Sequence, residues 1–286
     1  MGNIFDRLDN RIAWIDVEKE LVSLVYSEIS IIDKMLQSAS VNYITSNRLF
    51  PYRELCFGFL VVARNNTEAT LKLIEANLVD QIHFISRNTF EMMVILYYID
   101  NDKFKRDELT QRFFDYHIVT AHRAMHIIES YPRSFVGVIT EGNANEIKRD
   151  YDAFLTKYSQ DGKKPSLTTW SGKNLSDMID TISDENCKND LMKRYKFMIS
   201  ANNYFLHPTE LSLRQSILKY RESEISYKLR VKQIHSVLTS VDLIIHKYLE
   251  QFPKGRPAFK RELKDINNKH NKLVANTEAA GLPDSV

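Results

Sequence analysis

Apolar residues recur at three- and four-residue steps along nearly the whole chain, and that spacing restricts it to a helical fold. Trp14, Val17, Leu21, Leu24, Val25, Ile31, Ile32, Met35 and Leu36 form one such stripe, interrupted by a single charge, Glu28. Residues 10–38 therefore read as a long amphipathic helix. Pro51 suits a first helical turn, and 52–76 reads as a second helix. Residues 79–100, VDQIHFISRNTFEMMVILYYID, are apolar on most sides and read as a central helix. A fourth helix is expected over 105–130, stopped at Tyr131-Pro132. After a less regular section the pattern predicts a short polar helix at 144–159 and one capped by Asn174 or Ser176, running to about Cys187. Further helices are expected at 190–206, ended by Pro208, and at 224–250. The expected architecture is an all-α helical bundle over residues 1–252, followed by a polar, partly disordered extension, 253–286. From 258 on that extension reads as a loose helix with a disordered end.

Composition agrees and excludes several classes. Only 8 Gly and 7 Pro favour long regular elements over many turns. The 39 basic and 37 acidic residues leave a net charge of +2, far from the balance of a protein that grips duplex nucleic acid over its whole surface. A local basic patch remains compatible with it. Cys56 and Cys187 lie far apart with no CxxC or CxxH spacing, which argues against a disulfide framework or zinc ribbon and for a cytoplasmic setting. The first residues lack a signal-peptide core, and Asp6 stands where myristoylation wants Ser or Thr. No uncharged apolar run is long enough to span a membrane. Walker A, GxGxxG and GxSxG motifs are absent, so no cofactor is expected.

Four sets of residues carry chemistry. Arg87 and Glu91 stand four positions apart and share a helix face. On a central helix they form a buried ion pair, in which removal of one partner costs about 3–5 kcal/mol. Alternatively, Arg87 faces a cleft and binds a phosphate, held in orientation by Glu91. In YKFMISANNYFLHPTEL, a helix of large apolar residues carries Ser200, Asn202 and Asn203 and sets His207 against Pro208. These are either helix-end caps or one half of a site whose imidazole titrates near neutrality. Trp170, in TTWSGKN, either anchors its loop or stacks a base above Lys163, Lys164 and Lys173. Asp115, His122 and His126 occupy one helix, the histidines at a metal-capable spacing. Glu54 or Glu75 would have to complete that set, and HExxH and ExxH patterns are missing, so no metal is expected.

Taken in order, SRNTFEMMVILYYI with Arg87 and Glu91, TTWSGKNLSDM, and the segment of Tyr195, Ser200 and His207-Pro208 resemble a bacterial family. It is known only as domain-of-unknown-function family 5677, and the resemblance covers roughly residues 15–250. That family is thought to relate to the HEPN superfamily of helical bundles, which typically dimerise and include many RNases of toxin–antitoxin and antiphage systems. HEPN nucleases carry an Arg shortly before a His on one helix. Here Asn202 and Asn203 stand in place of that Arg, and Arg64-Asn65 and Arg87-Asn88 lack a His at the matching distance.

The resemblance implies a HEPN-like protein that binds or cleaves RNA, a metal-independent endoribonuclease in the latter case. Arg87, Glu91 and His207 would be its catalytic residues. A base must take the 2′-hydroxyl proton, and a cation must stabilise charge on the phosphorane. Ser200, Asn202, Asn203, Tyr195 and Trp170 would contact the ligand. A homo-oligomer and a partner protein of a defence system are also implied. The competing expectation is a non-catalytic interaction protein that oligomerises through its long helices, 10–38 and 224–250.

Overall fold

The computed structural model describes residues 4–45, 51–78, 81–131, 140–159, 163–165, 167–206, 224–252 and 256–279. In chain order the helices are α1 (Ile4–Thr45), α2 (Pro51–Glu75), α3 (Ile82–Asn101), α4 (Arg106–Asp115) and α5 (His117–Ser130). They continue as α6 (Glu141–Tyr158), α7 (Leu175–Asp180), α8 (Glu185–Leu206), α9 (Glu224–Gln251) and α10 (Arg256–Ala279). No strand occurs among the described residues, and the all-α expectation holds.

The core is built around α9, which packs against α3, α1 and α2 at once. Its buried residues, among them Ile234, Val237, Leu238, Val241, Ile244, Ile245 and Leu249, surround the helix on most sides. Leu21, Val25 and Ile32 of α1, Leu60 and Ala63 of α2, and Phe90, Met93 and Leu96 of α3 complete this core. The long helices expected to carry an oligomer interface thus spend their apolar faces inside the bundle. A second, smaller apolar cluster of Ile118, Val119 and Phe154 holds α5 to α6.

Three elements depart from the spacing. The helix expected to run to about Cys187 ends at Asp180, before α8 begins at Glu185. The helix expected over 105–130 is broken at Tyr116, because the His117 ring donates from Nδ1 to the Phe114 carbonyl at 2.7 Å and competes with the helical ladder. The Tyr116 hydroxyl meanwhile donates to the Leu167 carbonyl at 2.6 Å. The segment after 253, expected as a loose helix with a disordered end, holds α10, which is docked on α1 with Leu263, Ile266 and Leu273 buried.

One ion cluster ties the layers together. Asp100, at the end of α3, has a side chain only 5% exposed and accepts from Lys247 of α9, itself 13% exposed, at 2.7 Å. Lys103 donates to its other oxygen, and Arg106 stands 3.6 Å away while lying over the Tyr52 ring. Burial alone would push the Asp100 carboxyl up; the Lys103 and Lys247 hydrogen bonds win and hold it below the usual carboxylate range. Asp100→Ala strands a buried ammonium and should lower stability by about 3–5 kcal/mol in urea unfolding. The double variant Asp100→Leu/Lys247→Met should recover most of that loss. A cost under about 1 kcal/mol for Asp100→Ala would mean that the cluster behaves as a surface pair.

Candidate functional site

Helix α3 is covered on most of its circumference, and Arg87 lies on the strip left open. Ser86 faces inward, its hydroxyl 2.9 Å from that of Ser236 on α9 and 3.6 Å from the Met198 sulfur on α8. On the other side Asn66 of α2 donates to Asn88 at 2.9 Å and to Thr89 at 3.0 Å. Arg87, between these two contacts, therefore points away from the core. Its Nε donates to Glu91 Oε1 at 2.8 Å, and the two side chains are 38% and 39% exposed. The expectation of a buried pair on this helix is corrected: helical spacing put the residues on one face, but that face is the uncovered one.

The bond through Nε leaves both terminal nitrogens of Arg87 without a hydrogen-bond partner among the described residues. Phe84, 50% exposed, and Asn88 share the strip at three- and four-residue spacing. The open face of α3 therefore presents an aromatic ring, an oriented guanidinium and an amide side by side.

Helix α8 runs antiparallel to α3. Asn101, at the end of α3, bonds Thr181 and Ser183 just before α8 begins, and Ser86 meets Met198 near the other end. Tyr195 is half-buried against the core, and Phe197 lies under the Lys232 ammonium at 5.6 Å. Ser200, Asn202 and Asn203 occupy the last turns of α8, with their side chains outside the described residues. His207 also lies outside the described residues. The structure thus joins Arg87 to Glu91 and sets α8 against α3 at Ser86.

Trp170 takes the anchoring role. It is 7% exposed and sits edge-on against Phe113 at 5.3 Å and Tyr98 at 5.8 Å. Stacking of a base on this ring is ruled out by those neighbours, which occupy its place in the core. The sharp turn that follows uses Gly172 at φ 76°, a conformation that L side chains disfavour. Asn174 and Asp177 then close a reciprocal capping box on α7.

Residues 53–198 match a family of unknown function, DUF5677. The chain belongs to this family. No curated protein and no solved structure matches it. The DUF5677 segment runs from α2 to the Met198 contact on α8, and so contains Arg87, Glu91, Trp170 and Tyr195.

Of the remaining candidates of the DUF5677 segment, His122 and His126 meet edge to face at 4.5 Å, while the carboxylates are engaged elsewhere. Asp115 accepts from Lys157, the Tyr158 hydroxyl and Gln111, each at 2.7 Å, and these bonds outweigh burial to hold it below the usual carboxylate range. His122 stacks flat on Tyr151 at 3.8 Å, while His126 turns to Glu129 at 3.3 Å. Glu75 is taken up by Lys72 and Tyr26. No cluster of three or more His, Cys, Asp or Glu side chains placed to hold a metal occurs among the described residues. The spacing did not reveal the open groove of about 200 Å³ between α5 and α6, lined by Asp115, His117, Ile118, Phe154 and Lys157. Nor did it reveal the contact between His235 and His270, which are 35 positions apart and 2.7 Å from nitrogen to nitrogen.

Two substitutions separate these roles by chemical denaturation. Arg87→Ala breaks a solvent-screened pair and should change stability by less than about 1 kcal/mol. Trp170→Ala empties a core position and should cost about 3–5 kcal/mol. The reverse ranking would return Arg87 to a structural role.

Proposed function

We propose that this protein is a HEPN-like helical protein that binds RNA at the open strip of α3 and cleaves it without a metal ion. The observation that carries the proposal is the half-exposed Arg87, oriented through Nε by Glu91 with its terminal nitrogens unpartnered among the described residues. A guanidinium held in this way is preorganised for the paired oxygens of a phosphodiester. In cleavage His207 takes the 2′-hydroxyl proton, and the 2′-oxygen bonds phosphorus to form a 2′,3′-cyclic phosphate as the P–O5′ bond breaks. Arg87 stabilises the charge on the phosphoryl oxygens, and the proton held by His207 passes to the departing 5′-oxygen. Ser200, Asn202, Asn203 and Tyr195 contact the ligand from α8, the helix that passes alongside α3. The setting is a bacterial antiphage or toxin–antitoxin system in the cytoplasm, with the protein acting as a homo-oligomer beside a partner protein.

The reading predicts modest charge dependence. With a net charge of +2 and Glu91 beside Arg87, few phosphates are neutralised, so affinity should fall only shallowly with salt. Loss of one charge-assisted contact is worth about 1.5–3 kcal/mol, so Arg87→Ala should weaken binding of a labelled RNA roughly 10- to 100-fold. His207→Ala should abolish cleavage while binding persists. Unaltered binding in the folded Arg87→Ala variant discards the RNA site. Binding without cleavage in the wild type leaves the chain a non-catalytic interaction protein.

A further inference from the structure

We infer that the contact between His235 on α9 and His270 on α10 is an acid-sensitive latch that docks α10 at neutral pH and loosens it on acidification. The two rings meet nitrogen to nitrogen, Nδ1 of His235 to Nε2 of His270, at 2.7 Å, with ring centroids 4.6 Å apart. One proton fits between those atoms. A neutral pair therefore makes a single hydrogen bond, whereas two imidazolium rings would point N–H against N–H.

The surroundings add to this. Arg194 of α8, paired with Asp190 at 2.8 Å, raises the local positive potential at both rings. Burial is the main cause that pushes His235 down to about 3 and His270 to about 4; Arg194 acts in the same direction on both, and the His270 ring adds to the effect at His235. Farther along the same seam Asp242 of α9 accepts from Asn267 of α10 at 3.0 Å and lies 3.7 Å from His246. Glu28 of α1 is buried there, and burial pushes both carboxyls up, the Asp242 charge adding to the effect at Glu28. Apart from this polar line α10 is held by Leu263, Ile266 and Leu273 and by the exposed Lys34–Glu262 pair at 2.7 Å.

The sign follows from which state takes up protons. Histidines on a detached α10 titrate near the ordinary value of about 6.5, while docked ones resist protonation, so docking is intact above that pH and weakens below it. The weakening extends down towards the docked values of about 4 and about 3. The Glu28 and Asp242 carboxyls work in the opposite sense, since acid neutralises them and favours the docked state. Removing one histidine should therefore weaken the pH trend without abolishing it, because burial still acts on the other ring.

Hydrogen exchange of the full chain, read by mass spectrometry on peptides from 256–279 and corrected for intrinsic rates, tests this. Between pH 7.5 and 5.5 the open population of α10 should rise about tenfold for each histidine that resists protonation, while α2 and α3 peptides stay level. His270→Gln and, independently, His235→Gln should each reduce the dependence by about tenfold. Wild-type protection of α10 that tracks α2 and α3 across this range overturns the latch. So does a wild-type response preserved in both variants.

Discussion

The buried carboxylate of Asp100 sets the geometry on which the candidate site depends. A lone charge in that position would cost several kcal/mol, and the Lys247 ammonium on α9 offsets this by direct contact. Because Lys103 and Arg106 converge on the same carboxylate, the end of α3, the start of α4 and the middle of the bundle share one anchor. That anchor also fixes how α3 is rotated. At 3.6 residues per turn, Asp100 stands about 140° around the helix from Arg87. Pinning Asp100 inward thus turns Arg87 outward, and the Ser86–Ser236 contact locks the same rotation from the other end.

The consequence is a division between charges that hold the fold and charges that are left over. Asp100 with Lys247, and Glu18 with Arg230 at 2.8 Å, are largely withdrawn from water and join α9 to other helices. Among the described residues, Arg87 and Glu91 are joined only to each other, on their own helix. A screened pair at this spacing contributes about 0.3–0.5 kcal/mol, too little for folding to depend on it. Its chemistry is therefore directed outward, toward whatever meets the α3 surface.

Much of this was legible in the spacing of apolar residues, and the reasons for the rest are specific. Helical periodicity placed Arg87 and Glu91 on one face, but it carries no information on which neighbour covers that face; coverage is decided by α8 and α9, far along the chain. The break at Tyr116 has no Gly or Pro to announce it, since a His ring and a Tyr hydroxyl make it through side-chain bonds. Helix α10 looked like a loose tail because Asn and Lys dominate its composition. Its few apolar residues, Leu263, Ile266 and Leu273, nevertheless fall on one docked face. Trp170 was readable as an anchor from its turn, and the aromatic neighbours Phe113 and Tyr98 could be assigned only in three dimensions.

The family match and the packing divide the chain in different places. Residues 53–198 carry the matched segment, yet the helix that buries its inner faces is α9, beyond the end of the match. Without α9, Ser86 loses Ser236, Asp100 loses Lys247, and the core side of α3 around Phe90, Met93 and Leu96 is left exposed. The orientation of Arg87 is then less firmly determined, since only the contacts to α2 and α8, such as Asn66–Asn88 and Ser86–Met198, still hold the rotation of α3. The α3 surface is therefore a property of the whole bundle: the matched segment supplies the side chains, and the helices around it decide which of them reach solvent.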